Sequence, residues 1–145
     1  MGNMGTSLAE RLAPLIGALY VTIGIIGFAI TGFGNFVQQT PDKLIGFSIN
    51  PMHNLVHLAI GAFLIIMCTR GSTAVAEGAV MGVGLFYIVA FVIGTTAPDN
   101  LTIISMSGAG DLENFNHIVN GVALLTIGLM SSAATAAQMK KQGIA

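Results

Sequence analysis

The pattern Asn, two spacers, His, three spacers, Gly occurs twice in this chain, as Asn54, His57 and Gly61 and again as Asn114, His117 and Gly121. Each copy opens an apolar run. An imidazole just inside a membrane helix is costly without a partner, so two rings at matched positions point to a meeting with each other or with a shared ligand. His53 lies four residues before His57, which on a helix stacks the two rings on one face with about 5 to 6 Å between Cβ atoms. His53, His57 and His117 together offer three nitrogens, to which Asp111 or Glu113 could add a carboxylate, and such a set suits zinc, copper or iron. A tetrapyrrole is a second chemistry: His57 and His117 at equal depth could ligate haem iron from both faces, with Gly61 and Gly121 letting the flat macrocycle approach the backbone. A chlorophyll-type pigment needs only one His. A third reading requires no cofactor. In it Asn54 hydrogen-bonds His117 while Asn114 bonds His57, a reciprocal polar clasp in which each Asn also caps its own helix. Proton transfer through the rings is a fourth.

The elements that must position these residues follow from composition. Of the 145 residues 54% are hydrophobic and 8% charged, with mean hydropathy +0.83, more apolar surface than one soluble core of this size could hide. Four apolar runs, at about 13–32, 52–69, 74–94 and 115–138, each approach the length a helix needs to cross a bilayer. The expectation is an all-α protein: one four-helix transmembrane bundle occupying 1–145, in contact with lipid. A net charge of -1 with five basic residues excludes a nucleic-acid footprint. Cys68 is the only cysteine, so it has no intrachain disulfide partner, and it reads as a small apolar side chain.

Basic residues set the orientation. Arg11, the Arg70 turn, Lys140 and Lys141 share one side of four crossings, whereas Lys43, Asp42, Asp99, Asp111 and Glu113 share the other. Both termini are therefore expected in the cytoplasm, in a multi-pass bacterial inner or internal membrane. The second and fourth helices then both run inward, which brings His53, His57 and His117 to the outer end at similar depth. Leu19-Tyr20 and Phe86-Tyr87 are weaker counterparts on the first and third helices, so the chain reads as two helical hairpins related by a pseudo-two-fold axis along the membrane normal. Arg70-Gly71-Ser72 makes a tight turn between antiparallel neighbours. The outer loops are longer. The first is apolar enough to lie along the interface, and the Ser-Gly run through Ser105, Ser107, Gly108 and Gly110 predicts mobility in the second. Glu77 reads as a capping or interfacial residue near Arg70. Gly17, Gly24 and Gly27 on the first helix, and Gly78 and Gly82 on the third, form faces suited to close helix packing.

The stretch Ser48-Ile-Asn-Pro-Met-His-Asn-Leu-Val-His57-Leu-Ala-Ile-Gly61, followed by an Asn-x-x-His-x-x-x-Gly start to the last helix, resembles the bacterial domain-of-unknown-function family 4383. The resemblance covers nearly the whole chain. It implies a short four-helix membrane protein and carries no activity with it. One departure is Asn116, directly before His117, where the family typically has an apolar residue.

No nucleophile with a base beside it, no phosphate loop and no paired intramembrane carboxylates stand in the sequence, so no enzyme is expected. The helices also lack the breaks and charges of a transport path. The functional expectation is a structural or accessory role, in a larger respiratory or photosynthetic membrane complex or as a homo-oligomer. The alternative is a haem-, pigment- or metal-binding protein using His53, His57 and His117. Reporter fusions test the orientation: fusions at the Arg70 turn and at the C-terminus should both report cytoplasm, and an external signal at either would refute it.

Overall fold

The structure, a computed structural model, describes residues 6–144, leaving aside the side chains of Pro98 and Asn100. Four helices dominate: α1 (Leu8–Thr31), α2 (Pro51–Arg70), α3 (Thr73–Thr96) and α4 (Leu112–Lys141), all long and apolar enough to cross a membrane. Each begins at a side-chain cap that satisfies backbone N–H groups left over in a first turn. Ser7 and Glu10 form a reciprocal capping box on α1; Asn50, Ser72 and Asp111 cap α2, α3 and α4. These caps explain why α1 and α4 start earlier than hydropathy alone suggests. They also correct one expectation. Asn54 and Asn114 lie inside their helices and are not the N-caps of them; the cap of α2 is Asn50, with Pro51 in the first helical turn, where its missing N–H costs no bond.

Two tight hairpins, α1 with α2 and α3 with α4, make the bundle. Their seams are built from glycine. A Cβ added at Gly17 would lie 2.7 Å from the Gly61 carbonyl oxygen, and one at Gly121 would lie 3.0 Å from the Gly84 carbonyl oxygen. The first is closer than a real Cβ comes and the second is tighter than nearly all such contacts, so the backbones touch. Bilayers provide no hydrophobic drive for helix association, and such close van der Waals approach replaces it. The two hairpins use the same scheme at one constant offset per helix pair. Gly17, Tyr20 and Gly27 of α1 correspond to Gly84, Tyr87 and Gly94 of α3, while Asn54, His57, Gly61 and Leu64 of α2 correspond to Asn114, His117, Gly121 and Leu124 of α4. The expected pseudo-symmetric pair of hairpins is present.

The inner end is sealed by hydroxyls. Ser131 accepts from the backbone N–H of Ala9 and donates to Glu77 Oε1 (3.0 Å), which also accepts from Thr135 (2.7 Å). Glu77 therefore neither caps α3 nor pairs with Arg70; its partners are on α4. Its counterpart Glu10 accepts from Thr73 Oγ1 across the other junction. Cys68 is buried and makes only a weak 3.8 Å contact to the Ala76 carbonyl.

The outer loops depart most from expectation. The first carries a small antiparallel hairpin, β1 (Lys43–Leu44) with β2 (Phe47–Ser48), turned by Ile45 and Gly46, both at positive φ. The second forms a 3-10 helix (Pro98–Ile104) ending in Ser105 and Met106, which are fully buried. The two loops tie together where Thr40 N–H donates to Ser105 Oγ and Asn50 Nδ2 donates to the carbonyls of Gln38 and Ile103. The Ser-Gly run thus leads into a packed cap, because loop carbonyls near the membrane need donors and Asn50 supplies two.

Glycine packing predicts an ordered mutational response. Gly61→Ala and Gly121→Ala should each cost about 1 to 3 kcal/mol through overpacking. Gly78→Ala, where a Cβ meets nothing within 4 Å, should be neutral or stabilise by up to about 1 kcal/mol. Unfolding in mixed detergent micelles measures all three, and equal losses would refute the seam.

Candidate functional site

At the outer end the bundle buries a group of rings. His53 and His57, one turn apart on α2, stack with centroids 4.8 Å apart. His57 meets Tyr20 of α1 at 5.5 Å, Tyr20 meets Tyr87 of α3 at 5.9 Å, and Tyr87 meets His117 of α4 at 5.6 Å. The chain His57, Tyr20, Tyr87, His117 follows the pseudo-two-fold arrangement, with the tyrosine pair at its centre. His57 and His117 line one cavity with His53, as their matched depth predicts.

The reciprocal clasp is not the arrangement found. Asn54 Nδ2 donates to Thr31 Oγ1 (2.9 Å), and Asn114 Nδ2 donates to the carbonyls of Ala109 (2.9 Å), Gly94 and Gly108 (both 3.2 Å). Each amide thus bonds inside its own hairpin and fastens α1 to α2 or α3 to α4. The reason is steric. Gly27 and Gly94 leave room at the seam, and a Cβ at either would run into the Asn54 or Asn114 Oδ1. The Hα that glycine presents there faces the oxygen, a weak Cα–H···O contact for an atom without another partner.

The cofactor geometries fare no better. Among the described residues no three His, Cys, Asp or Glu side chains converge to hold a metal ion. His53 Nδ1 lies 3.2 Å from the Ser48 carbonyl. Asp111 is committed to its loop: Oδ1 accepts from Glu113 N–H, and Oδ2 accepts from both the backbone and hydroxyl of Ser107. Burial pushes the Asp111 carboxyl up, but those bonds and the nearby Lys43 charge outweigh it and hold the group below its ordinary range. A tetrapyrrole between His57 and His117 would need a slot where Tyr20 and Tyr87 link the rings, and the flanking cavities are about 180 and 210 Å³, below the usual size for large ligands.

At this end a polar ladder that the two tetrads do not include also joins the hairpins. Tyr20 OH donates to Asn120 Oδ1 (2.7 Å), and Asn120 Nδ2 donates to Asn116 Oδ1 (2.8 Å) and to the Asn116 carbonyl (2.9 Å). Glu113 lies one turn before, buried at 2% exposure. Its signal in the sequence is a polar stripe, Glu113, Asn116 and Asn120 at three- and four-residue spacing on an otherwise apolar helix. Among the described residues, five buried side-chain polar atoms have no hydrogen-bond partner: Asn54 Oδ1, Asn114 Oδ1, His57 Nδ1, His117 Nδ1 and Glu113 Oε2.

Residues 10–130 match the family described as Domain of unknown function (DUF4383). The chain belongs to this family. No curated protein and no solved structure matches it. Within the DUF4383 span fall all three histidines, both tyrosines, and the Glu113, Asn116 and Asn120 stripe.

Because the Tyr20 to Asn120 bond crosses between hairpins, a double-mutant cycle of Tyr20→Phe and Asn120→Leu should give a coupling of about 0.6 kcal/mol, and no more than about 1.7. His57→Leu should leave the Asn114 bonds intact and show no coupling to Asn114→Leu. Unfolding midpoints of the variants in detergent supply both cycles. A His57 to Asn114 coupling as large as that of Tyr20 with Asn120 would restore the clasp.

Proposed function

We propose that this small polytopic protein is a non-catalytic accessory subunit, docked through α3 against a transmembrane helix of a larger membrane complex. One observation carries the reading. The interior helical glycines at 17, 24, 27, 61, 84, 94, 121 and 128 each meet a neighbouring helix, whereas Gly78 and Gly82 have nothing within 4 Å. They sit one turn apart on the outward face of α3, continued by exposed Leu85, Phe86 and Val89. Where this chain packs helices it uses small residues to bring backbones together. The same device stands unused on α3, and each such glycine lowers helix propensity by about 1 kcal/mol relative to alanine.

The reading asks only packing and hydrogen bonding of the side chains. Its setting is a bacterial cytoplasmic or internal membrane with the termini and the Arg70 turn inside. A respiratory or photosynthetic complex is the class of assembly that such a small subunit would serve. The second reading, a group held by the histidines, draws on the unpartnered Nδ1 atoms of His57 and His117. It is the weaker one, because among the described residues the three rings, though they line one cavity, form no group that could hold a metal ion.

A photo-crosslinking residue at Leu85, in native membranes, tests the docking face. Adducts larger than the chain by the mass of another protein are expected, and Gly82→Leu should abolish them while the unfolding midpoint stays unchanged. Adducts of twice the chain mass would identify a second copy as the occupant instead, and lipid adducts alone would overturn the proposal.

A further inference from the structure

Pseudo-symmetry gives this molecule an internal control. The two outer cavities are related by the axis that exchanges the hairpins. One lies beside Tyr20 and His57, the other beside Tyr87 and His117. Where α2 carries His53, Val56 and Ile60, α4 carries Glu113, Asn116 and Asn120 at the corresponding positions. The apolar pair Val56 and Ile60 shows that the packing scheme does not need amides there. Asn120 serves the bond to Tyr20, with Asn116 behind it, but that ladder does not use Glu113, and all three side chains line the cavity of about 180 Å³ beside Tyr20.

That cavity has two characters. Its polar side is Glu113, Asn116, Asn120 and His57; its apolar side includes Leu19 and Ile23 of α1 and Phe47 of the β-hairpin. Glu113 is almost wholly buried, and its Oε2 has no hydrogen-bond partner. A buried oxygen left in that state costs about 1 to 3 kcal/mol, and more if charged, so an incoming donor is favoured. The volume is near the roughly 150 Å³ known to hold a single benzene-sized ring, and Tyr20, His57 and Phe47 offer aromatic faces to one.

We infer that this cavity is a binding site for a membrane-borne amphiphile with a hydroxylated single-ring, phenol-type head, whose hydroxyl bonds Glu113 while its apolar tail lies towards the lipid. A hydroxyl suits the site whichever protonation state Glu113 holds, because it donates to a carboxylate and accepts from a carboxylic acid. Asn116 and Asn120 fix the orientation of that edge. The related cavity has His53 and Val56 in place of Glu113 and Asn116, so it lacks the carboxyl and the amide that meet the hydroxyl here. The inference stands apart from the docking of α3, since the site lies between α1 and α4.

The test uses the full chain in lipid nanodiscs, titrated with 4-butylphenol, butylbenzene and butylammonium by calorimetry. Saturable binding of one 4-butylphenol, about ten-fold tighter than butylbenzene, is the expected result, the worth of one hydrogen bond to a buried acidic group. Glu113→Leu should erase that preference. Asn116→Val, which installs the residue α2 carries at the related position, should reduce it about three-fold or more; this variant decides if Glu113→Leu does not fold. Equal binding of phenol and benzene by the wild-type chain would reduce the cavity to an apolar void. A preference that survives in Asn116→Val, or tighter binding of butylammonium, would also overturn the proposal.

Discussion

Backbone contact at glycine pairs is the constraint on which the rest of this bundle depends. In lipid, an apolar side chain gains little by leaving the bilayer for a helix interface, so the helices must hold each other by close approach and by hydrogen bonds. Gly17 against Gly61 and Gly84 against Gly121 bring each pair of helices to backbone distance. That closeness fixes register along the whole hairpin. With the register set, Asn54 arrives opposite Gly27 and Asn114 opposite Gly94, each with just the room an amide needs. A longer side chain at any of these glycines would push out the seam and the amide together.

Within a hairpin the backbones touch at glycine; between hairpins a shared apolar core, with Leu64, Val80, Val83 and Leu124, is closed at each end by hydrogen bonds. The hairpins also meet through Tyr20 with Asn120 at the outer end and through Ala9 with Ser131 and Thr73 with Glu10 at the inner end. This division follows from where the small residues lie. The glycines are spent on the hairpin seams, which leaves aliphatic side chains and the two tyrosine rings to fill the wider junction. Individual hydrogen bonds in membranes are modest in energy, but they are directional, and two clusters at opposite ends resist both sliding and rotation of one hairpin against the other.

The helices and their pairing were legible because they depend on run length and repeat, which the sequence displays directly: two tetrads, two tyrosines and a three-residue turn. The partner of each tetrad Asn was not legible. Asn54 could bond across the bundle or along its own hairpin, and the choice rests on the space beside Gly27 and Gly94, a three-dimensional property. Sequence spacing made the reciprocal clasp attractive because it treated the matched depth of Asn and His as contact. The Asn50-Pro51 cap was readable by the rule that places a polar cap before proline, yet its second job, donating to the carbonyls of Gln38 and Ile103, belongs to loop packing. The start of the Ser-Gly run was not legible for the same reason. Ser107 and Gly110 are exposed, but Ser105 is buried and held by Thr40, far away in the chain.

Repetition within one chain separates what the fold needs from what it tolerates. Positions that agree between the hairpins, Gly17, Gly27 and Gly61 with their counterparts, the two amides, the two tyrosines and the His57 and His117 rings, are those that register and packing demand twice. Positions that disagree are released from that demand. His53 and Glu113 occupy the same place in the two halves and both are buried, yet one is tied to the Ser48 carbonyl while the other leaves an oxygen without a partner. Asn116 and Asn120 stand where Val56 and Ile60 satisfy the same packing. A polar group in a membrane protein is retained at a cost, so the positions where one half accepts that cost and the other avoids it are where a function of this chain has to be sought.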